Sequence, residues 1–210
     1  MPHVVLLGDS VFDNGAYVGR GPDVLAHLRR LAPRGWEATL LAVDGSVVCG
    51  VGRQLDRLPE GATHLVVSAG GNDALAHTGL LEERASSGAE VLGRLADIAR
   101  DFAADYREML HRLGRMGRRF GVCTIYDPKF RDPLAQRLAV TALSVFNDVI
   151  IREAFAAGLP LIDLRLVCDE EADYANPIEP SAAGGEKIAR AILRLFSEHD
   201  FGRRRTQVFV

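Results

Sequence analysis

A serine that follows directly on a strand-length apolar run is the first residue of this chain with chemistry to offer. Val4-Val5-Leu6-Leu7 runs into Gly8-Asp9-Ser10. A hydroxyl on the tight turn after a buried strand stands at the mouth of a helix N-terminus, where backbone amides favour developing negative charge. Acyl transfer needs that arrangement together with donors aimed at an oxyanion. Two further residues have the required donor types: Gly45, through its backbone amide in Asp44-Gly45-Ser46, and Asn72, through its carboxamide in Gly70-Gly71-Asn72-Asp73. Taken singly, each is ordinary, because Gly-Asp-Ser often just caps a helix and glycine often just turns a chain. Their joint order and position carry the weight.

The elements that must position these residues are legible from hydrophobic periodicity. Val4 to Leu7, Thr39 to Val43, Leu65 to Ser68, Phe120 to Tyr126 and Leu159 to Leu164 are short, nearly continuous apolar runs, as expected for strands buried on both faces. Between them lie helical stripes. Val91, Leu95, Ile98, Phe102, Tyr106, Met109 and Leu113 mark one, Leu138, Ala142, Val145, Val149 and Ile150 a second, and Ile188, Ile192, Leu195 and Phe196 a third. Pro133 and Pro180 sit near helix starts, and Ser181 is a possible cap. This alternation predicts an α/β domain with a mainly parallel sheet of five strands. Ligands of such sheets bind at the carboxyl ends of the strands. Ser10, Gly45, Gly70 to Asp73 and the loop Asn176 to Glu179 should therefore converge on one edge. The pocket wall is expected from 11–18, 46–49, 75–81, 129–131 and the Tyr174 loop.

Composition narrows the class. The 210 residues are 48% hydrophobic and 25% charged with a net charge of -3, so nothing points to a nucleic-acid partner. One domain is expected over 1–202, with 203–210 as a short tail in which Arg203, Arg204 and Arg205 are solvated. Cys49, Cys123 and Cys168 have neither disulfide nor metal-ligand spacing. No signal peptide is read, and no apolar run approaches a membrane span, so the expected location is cytoplasmic. No metal and no cofactor is expected. The implied partner is a small-molecule ester or acyl ligand, and composition does not decide the oligomeric state.

The chain resembles the SGNH, or GDSL-type, hydrolases. Gly8-Asp9-Ser10 is similar to their nucleophile block, Asp44-Gly45-Ser46 to their glycine block and Gly70-Gly71-Asn72-Asp73 to their asparagine block. Phe146-Asn147 with Pro160-Leu161-Ile162-Asp163, and Pro180-Ser181 with Gly184-Gly185 and Lys187-Ile188-Ala189, are similar to the frame of the closing block. The resemblance implies a three-layer α/β/α sandwich of flavodoxin-like type. It implies Ser10 as nucleophile and the Ser10 amide, Gly45 and Asn72 as oxyanion donors. The family's paired Asp and His fall on Asn176 and Glu179.

That departure alters the proton transfer. Glutamate, with a reference pKa of ~4.3 against ~6.5 for histidine, is the weaker base by roughly 3 kcal/mol. Burial can close much of that gap. A neutral Asn176 avoids a second carboxylate and can donate a hydrogen bond that orients Glu179. His77 can approach the pocket but reads most simply as a loop histidine. Asp173, beside Asp169-Glu170-Glu171, reads as part of a solvated loop. The expected activity is hydrolysis of a small acyl ester through an acyl-Ser10 intermediate. A non-catalytic ligand-binding protein on the same scaffold, and an acyltransferase or tailoring enzyme using the same pocket, are the alternatives.

Overall fold

The computed structural model describes all 210 residues. The chain opens with β1 (His3–Gly8), α1 (Val24–Leu31), β2 (Glu37–Leu40), α2 (Val51–Leu55) and β3 (His64–Ser68). It continues through α3 (Gly71–Leu75), α4 (Gly88–Arg115), β4 (Arg119–Cys123), α5 (Pro133–Ala157), β5 (Leu161–Ile162) and α6 (Leu164–Val167). It closes with a hairpin of β6 (Tyr174–Asn176) and β7 (Glu179–Pro180), then α7 (Ala182–Glu198) and β8 (Val208–Phe209). The main sheet has the order β2-β1-β3-β4-β5-β8, with every neighbouring pair parallel.

Burial on both faces explains the unbroken apolar runs. One layer, with α1, α6 and α7, holds a core of 22 buried residues that takes Val4 and Leu6 from β1; the other, with α2, α4 and α5, holds 21 and takes Val5 and Leu7. The sheet is thus the middle of three layers, as expected. It has six strands instead of five. The sixth is β8, from the residues read as a tail. Leu161 N donates to Gln207 O and Asp163 N to Phe209 O, both at 2.9 Å, and the Phe209 side chain is buried. By pairing with β5, β8 covers backbone groups that would otherwise form an open edge of the sheet.

Two expected strands end early, for identifiable reasons. Leu41 N and Ala42 N both donate to Leu6 O, a bulge that ends β2 and brings Val43 N onto Gly8 O. After Cys123 the ladder gives way to the Asn147 carboxamide, which takes both backbone groups of Ile125, at 2.8 and 2.9 Å.

Helices α4 and α5 return from the carboxyl edge of the sheet, antiparallel to the strands, and are much longer than the strands they cover. The 28 residues of α4 span about 42 Å, against about 17 Å for the five residues of β3. The buried side chains of α4 begin at Phe102 and those of α5 at Phe146, so both N-terminal halves overhang the carboxyl edge. Asp132 caps α5 and Pro133 occupies its first turn. Contrary to the reading that no segment reaches membrane-span length, α5 is long and apolar enough by length and composition. Its apolar residues are used otherwise: Val149, Ile150 and Ala154 pack on the sheet, and the overhanging half lines a cavity described below.

If β8 is an integral strand, Phe209→Ala should lower the unfolding free energy by about 3–5 kcal/mol, the range for emptying a buried phenylalanine site. Urea unfolding followed by far-UV circular dichroism measures this, and an unchanged midpoint would refute it.

Candidate active site

Ser10 is presented by a turn that only glycine can open. Gly8 has φ +121°, and a Cβ there would lie 1.7 Å from the Ser68 carbonyl oxygen of β3. The turn is held from below by Gln54 of α2, a buried side chain. Its Oε1 accepts from Gly8 N and its Nε2 donates to Gly8 O, both at 2.7 Å. Asp9 N donates to Ser68 O, and the Asp9 carboxyl accepts from Val11 N at 3.1 Å. The Ser10 backbone N–H has no protein acceptor.

The expected donors stand beside it. Gly45 has φ +75°, and its N–H is likewise unbonded. Its loop is tied down on several sides. Gln54 Nε2 reaches Ser46 Oγ at 3.3 Å, and Val48 N donates to the Asp73 carboxylate at 3.0 Å. Asp44 N donates to Asp13 Oδ2 at 3.0 Å, and the Tyr17 hydroxyl donates to Asp44 Oδ2 at 2.6 Å. Asn72 spends one amide proton on Ser46 O at 3.0 Å and keeps the other. Three N–H groups are therefore fixed in place and left without protein partners.

Glu179 faces inward. Ser10 Oγ donates to Glu179 Oε1 at 3.1 Å, across 169 residues of sequence. The hairpin carrying Glu179 is strapped by the Tyr126 hydroxyl donating to Ile178 O at 2.6 Å, by Asn14 Nδ2 donating to Pro180 O at 3.2 Å, and by Lys129 N donating to Pro177 O at 2.8 Å. Sequence reasoning missed Gln54, Asn14 and Tyr126, since nothing in their local sequence marks residues that act at such a distance.

Asn176 is not brought into the site, which corrects the expectation that it orients Glu179. It pairs with Glu179 across the hairpin, but its side chain is exposed and its Oδ1 accepts from Ile178 N at 3.0 Å, closing the turn. No residue takes the orienting role: Glu179 Oε2 is buried without a partner. His77 is an exposed loop residue whose ring lies 6.4 Å from that of Phe146. Asp173 is buried rather than solvated, with Lys187 Nζ 2.8 Å from its carboxylate.

Burial dominates the electrostatics. It raises Glu179 to about 7; the Ser10 hydrogen bond opposes the rise and the charge of Asp44 adds to it. Asp9, more deeply buried, is pushed up to about 8, eased by the Val11 N–H and raised further by Glu179 and Asp73. Burial thus disfavours the charged form of both carboxyl groups, and the charge of Glu179 adds to the cost of ionising Asp9.

From Ser10 and Glu179 a cavity of about 320 Å³ extends under the overhang of α4 and α5. Its polar end holds Asp9, Ser10, Asn72 and Glu179; its walls come from Leu75 to Leu81, Leu95, Ile98, Ile125, Phe130, and the α5 face from Ala135 to Phe146. Of the stretches expected to form the wall, Val11, 75–81 and Phe130 do so. The 12–18 and 46–49 segments, Lys129, Arg131 and Tyr174 do not; Phe12 is instead buried in the core. The inner faces of α4 and α5 were not anticipated.

A sequence profile of the GDSL-like lipase/acylhydrolase family matches residues 6–187. A comparison with curated proteins returns no match. Among solved structures, an extracellular lipase from Streptomyces rimosus is similar at 16% identity and TM-score 0.63, covering 95% of this chain and 100% of its own. A phospholipase A1 from Streptomyces albidoflavus is similar at 17% identity and TM-score 0.64, with coverage of 95% and 99%. An acetyl xylan esterase from Geobacillus stearothermophilus is similar at 16% identity and TM-score 0.63, with coverage of 95% and 96%. At these identities the likeness is one of fold.

The pKa of Glu179 makes a stability prediction. Between its ordinary value of 4.5 and about 7, the folded protein retains a proton that the unfolded chain has released. Stability contributed by this group is therefore present below 4.5 and lost as pH rises through 7. Glu179→Gln should match wild type near pH 4.5 and exceed it in thermal midpoint at pH 8. Calorimetry across that window tests this, and an equal gap at both pH values would contradict it.

Proposed function

Since the chain belongs to the GDSL-like lipase/acylhydrolase family, whose members hydrolyse ester bonds, we propose that it cleaves acyl esters through an acyl-Ser10 intermediate with Glu179 as general base. The observation that carries this reading is the hydrogen bond from Ser10 Oγ to Glu179 Oε1, within the range a working nucleophile–base pair needs. As Ser10 Oγ attacks the ester carbonyl, its proton passes to Glu179. The carbonyl oxygen becomes an oxyanion facing the free N–H groups of Ser10, Gly45 and Asn72. Collapse breaks the bond to the alcohol oxygen, which leaves with the proton from Glu179. Water then attacks the acyl-enzyme, gives a proton to Glu179, and releases the acid when Ser10 recovers that proton.

A carboxylate does this only if it is basic enough. Glu179, at about 7, has the basicity ordinarily expected of histidine. It has one hydrogen-bond donor and an unpartnered second oxygen, so little stabilises its charge apart from Ser10.

A fluorophosphonate should label wild-type protein at Ser10 and fail on Ser10→Ala. For a p-nitrophenyl ester, kcat/KM should rise with pH through about 7 as Glu179 deprotonates. Glu179→Gln should lower kcat by about 10²–10⁴. A wild-type protein that resists the probe and hydrolyses no ester would overturn the hydrolase reading; a Glu179→Gln variant with undiminished kcat would remove Glu179 from it.

A further inference from the structure

The cavity has an asymmetry that the chemistry at Ser10 does not require. All its polar side chains with acid–base or amide function, apart from His77, lie at the Ser10 end, and no lysine or arginine lines it. Beyond that end the wall is aliphatic and aromatic. The α5 wall is built from Ala135, Ala139, Ala142 and Phe146, which recur every three or four residues and so share one face. They span 11 helical steps, about 16 Å. The three alanines are half-buried and no side chain fills the space before them, while Leu95 and Ile98 of α4 face it from the other side. Glu179, more than nine-tenths buried, lines the same space with an unpartnered oxygen at its polar end. Gly45 does not line it, nor do Asp13, Tyr17 and Asp44, which hold the Gly45 loop.

We propose that this cavity holds the acyl chain of the substrate, a medium-length aliphatic chain, and that Ala139 and Ala142 set the length it accepts. The proposal rests on the acyl-Ser10 reading and extends it to a substrate class. The α5 wall, about 16 Å long, runs the length of an extended medium-length aliphatic chain along a cavity that opens at Ser10 and Glu179. Beyond the Ser10 end only the exposed His77 and Thr78 carry polar side chains, and the Thr78 hydroxyl is spent on Leu75 O, so most of the wall would leave the desolvation of a sugar, phosphate or amino group uncompensated.

The test is the chain-length profile of p-nitrophenyl esters from acetyl to hexadecanoyl, with decanoate binding measured separately by calorimetry. Each methylene buried should raise kcat/KM by up to about fourfold. Wild type should peak at a medium chain length, about eight to twelve carbons, which the roughly 16 Å of the α5 wall spans. Ala142→Phe and Ala139→Leu should each lower the decanoyl-to-acetyl ratio at least tenfold, a ratio that does not depend on the fraction of folded enzyme. Decanoate should bind wild type and lose affinity in both variants. Ester hydrolysis with a profile that peaks at acetyl, or variants whose profiles parallel wild type, would overturn the acyl-chain site and leave the hydrolase reading standing. Decanoate binding that Ala142→Phe abolishes, in a protein that hydrolyses no ester, would support the chain site while the hydrolase reading fails.

Discussion

The catalytic edge of this protein depends on one close approach. Gly8 lies against the Ser68 carbonyl with no room for a Cβ, and this contact turns the chain sharply enough to leave the Ser10 amide without a protein partner and its hydroxyl against Glu179. Gln54 makes the arrangement rigid. By accepting from and donating to Gly8 and also reaching Ser46 Oγ, it links the nucleophile turn to the loop of Gly45. Asp73 and Asn72 join the same loop from α3. The three N–H groups keep their places because buried backbone and side-chain groups around them are already satisfied.

The second constraint is the burial of carboxyl groups. Histidine at the base position needs an orienting carboxylate. A glutamate there needs the reverse, a site without nearby positive charge and with a neighbour that does not ionise. The structure meets both needs without Asn176. No lysine or arginine pairs with Glu179, and burial disfavours ionisation of the nearby Asp9. The departure from the family's Asp and His thus concerns the whole environment of Glu179 more than the residue three positions before it.

Much of this was legible in the sequence, and what was not shares a cause. Ser10, Gly45 and Asn72 each follow a strand directly, so a local pattern and the strand-end rule suffice to bring them together. Glu179 was legible through the frame around it. Gln54, Asn14 and Tyr126 position the site across 46, 166 and 52 residues, and no periodicity encodes such pairings. Asn176 misled because hairpin turns have needs of their own: the Ile178 N–H had to find an acceptor, and the Asn176 side chain was nearest. β8 was missed because two apolar residues become a strand only through the edge they cover. The overhang was missed because periodicity marks where a helix is apolar, not what that face meets.

That overhang has a bearing on motion. Along both α4 and α5 the fully buried side chains lie in the C-terminal half, anchored to the sheet, while the N-terminal half rests on partly exposed neighbours. Local opening free energies follow burial, so each helix carries a gradient, with one end exchanging its amide protons only on global unfolding and the other on far smaller fluctuations. The compliant ends are the ones that flank Ser10. A bulky ligand can thus be admitted by a fluctuation that leaves the sheet, the Gly8 turn and Gln54 undisturbed.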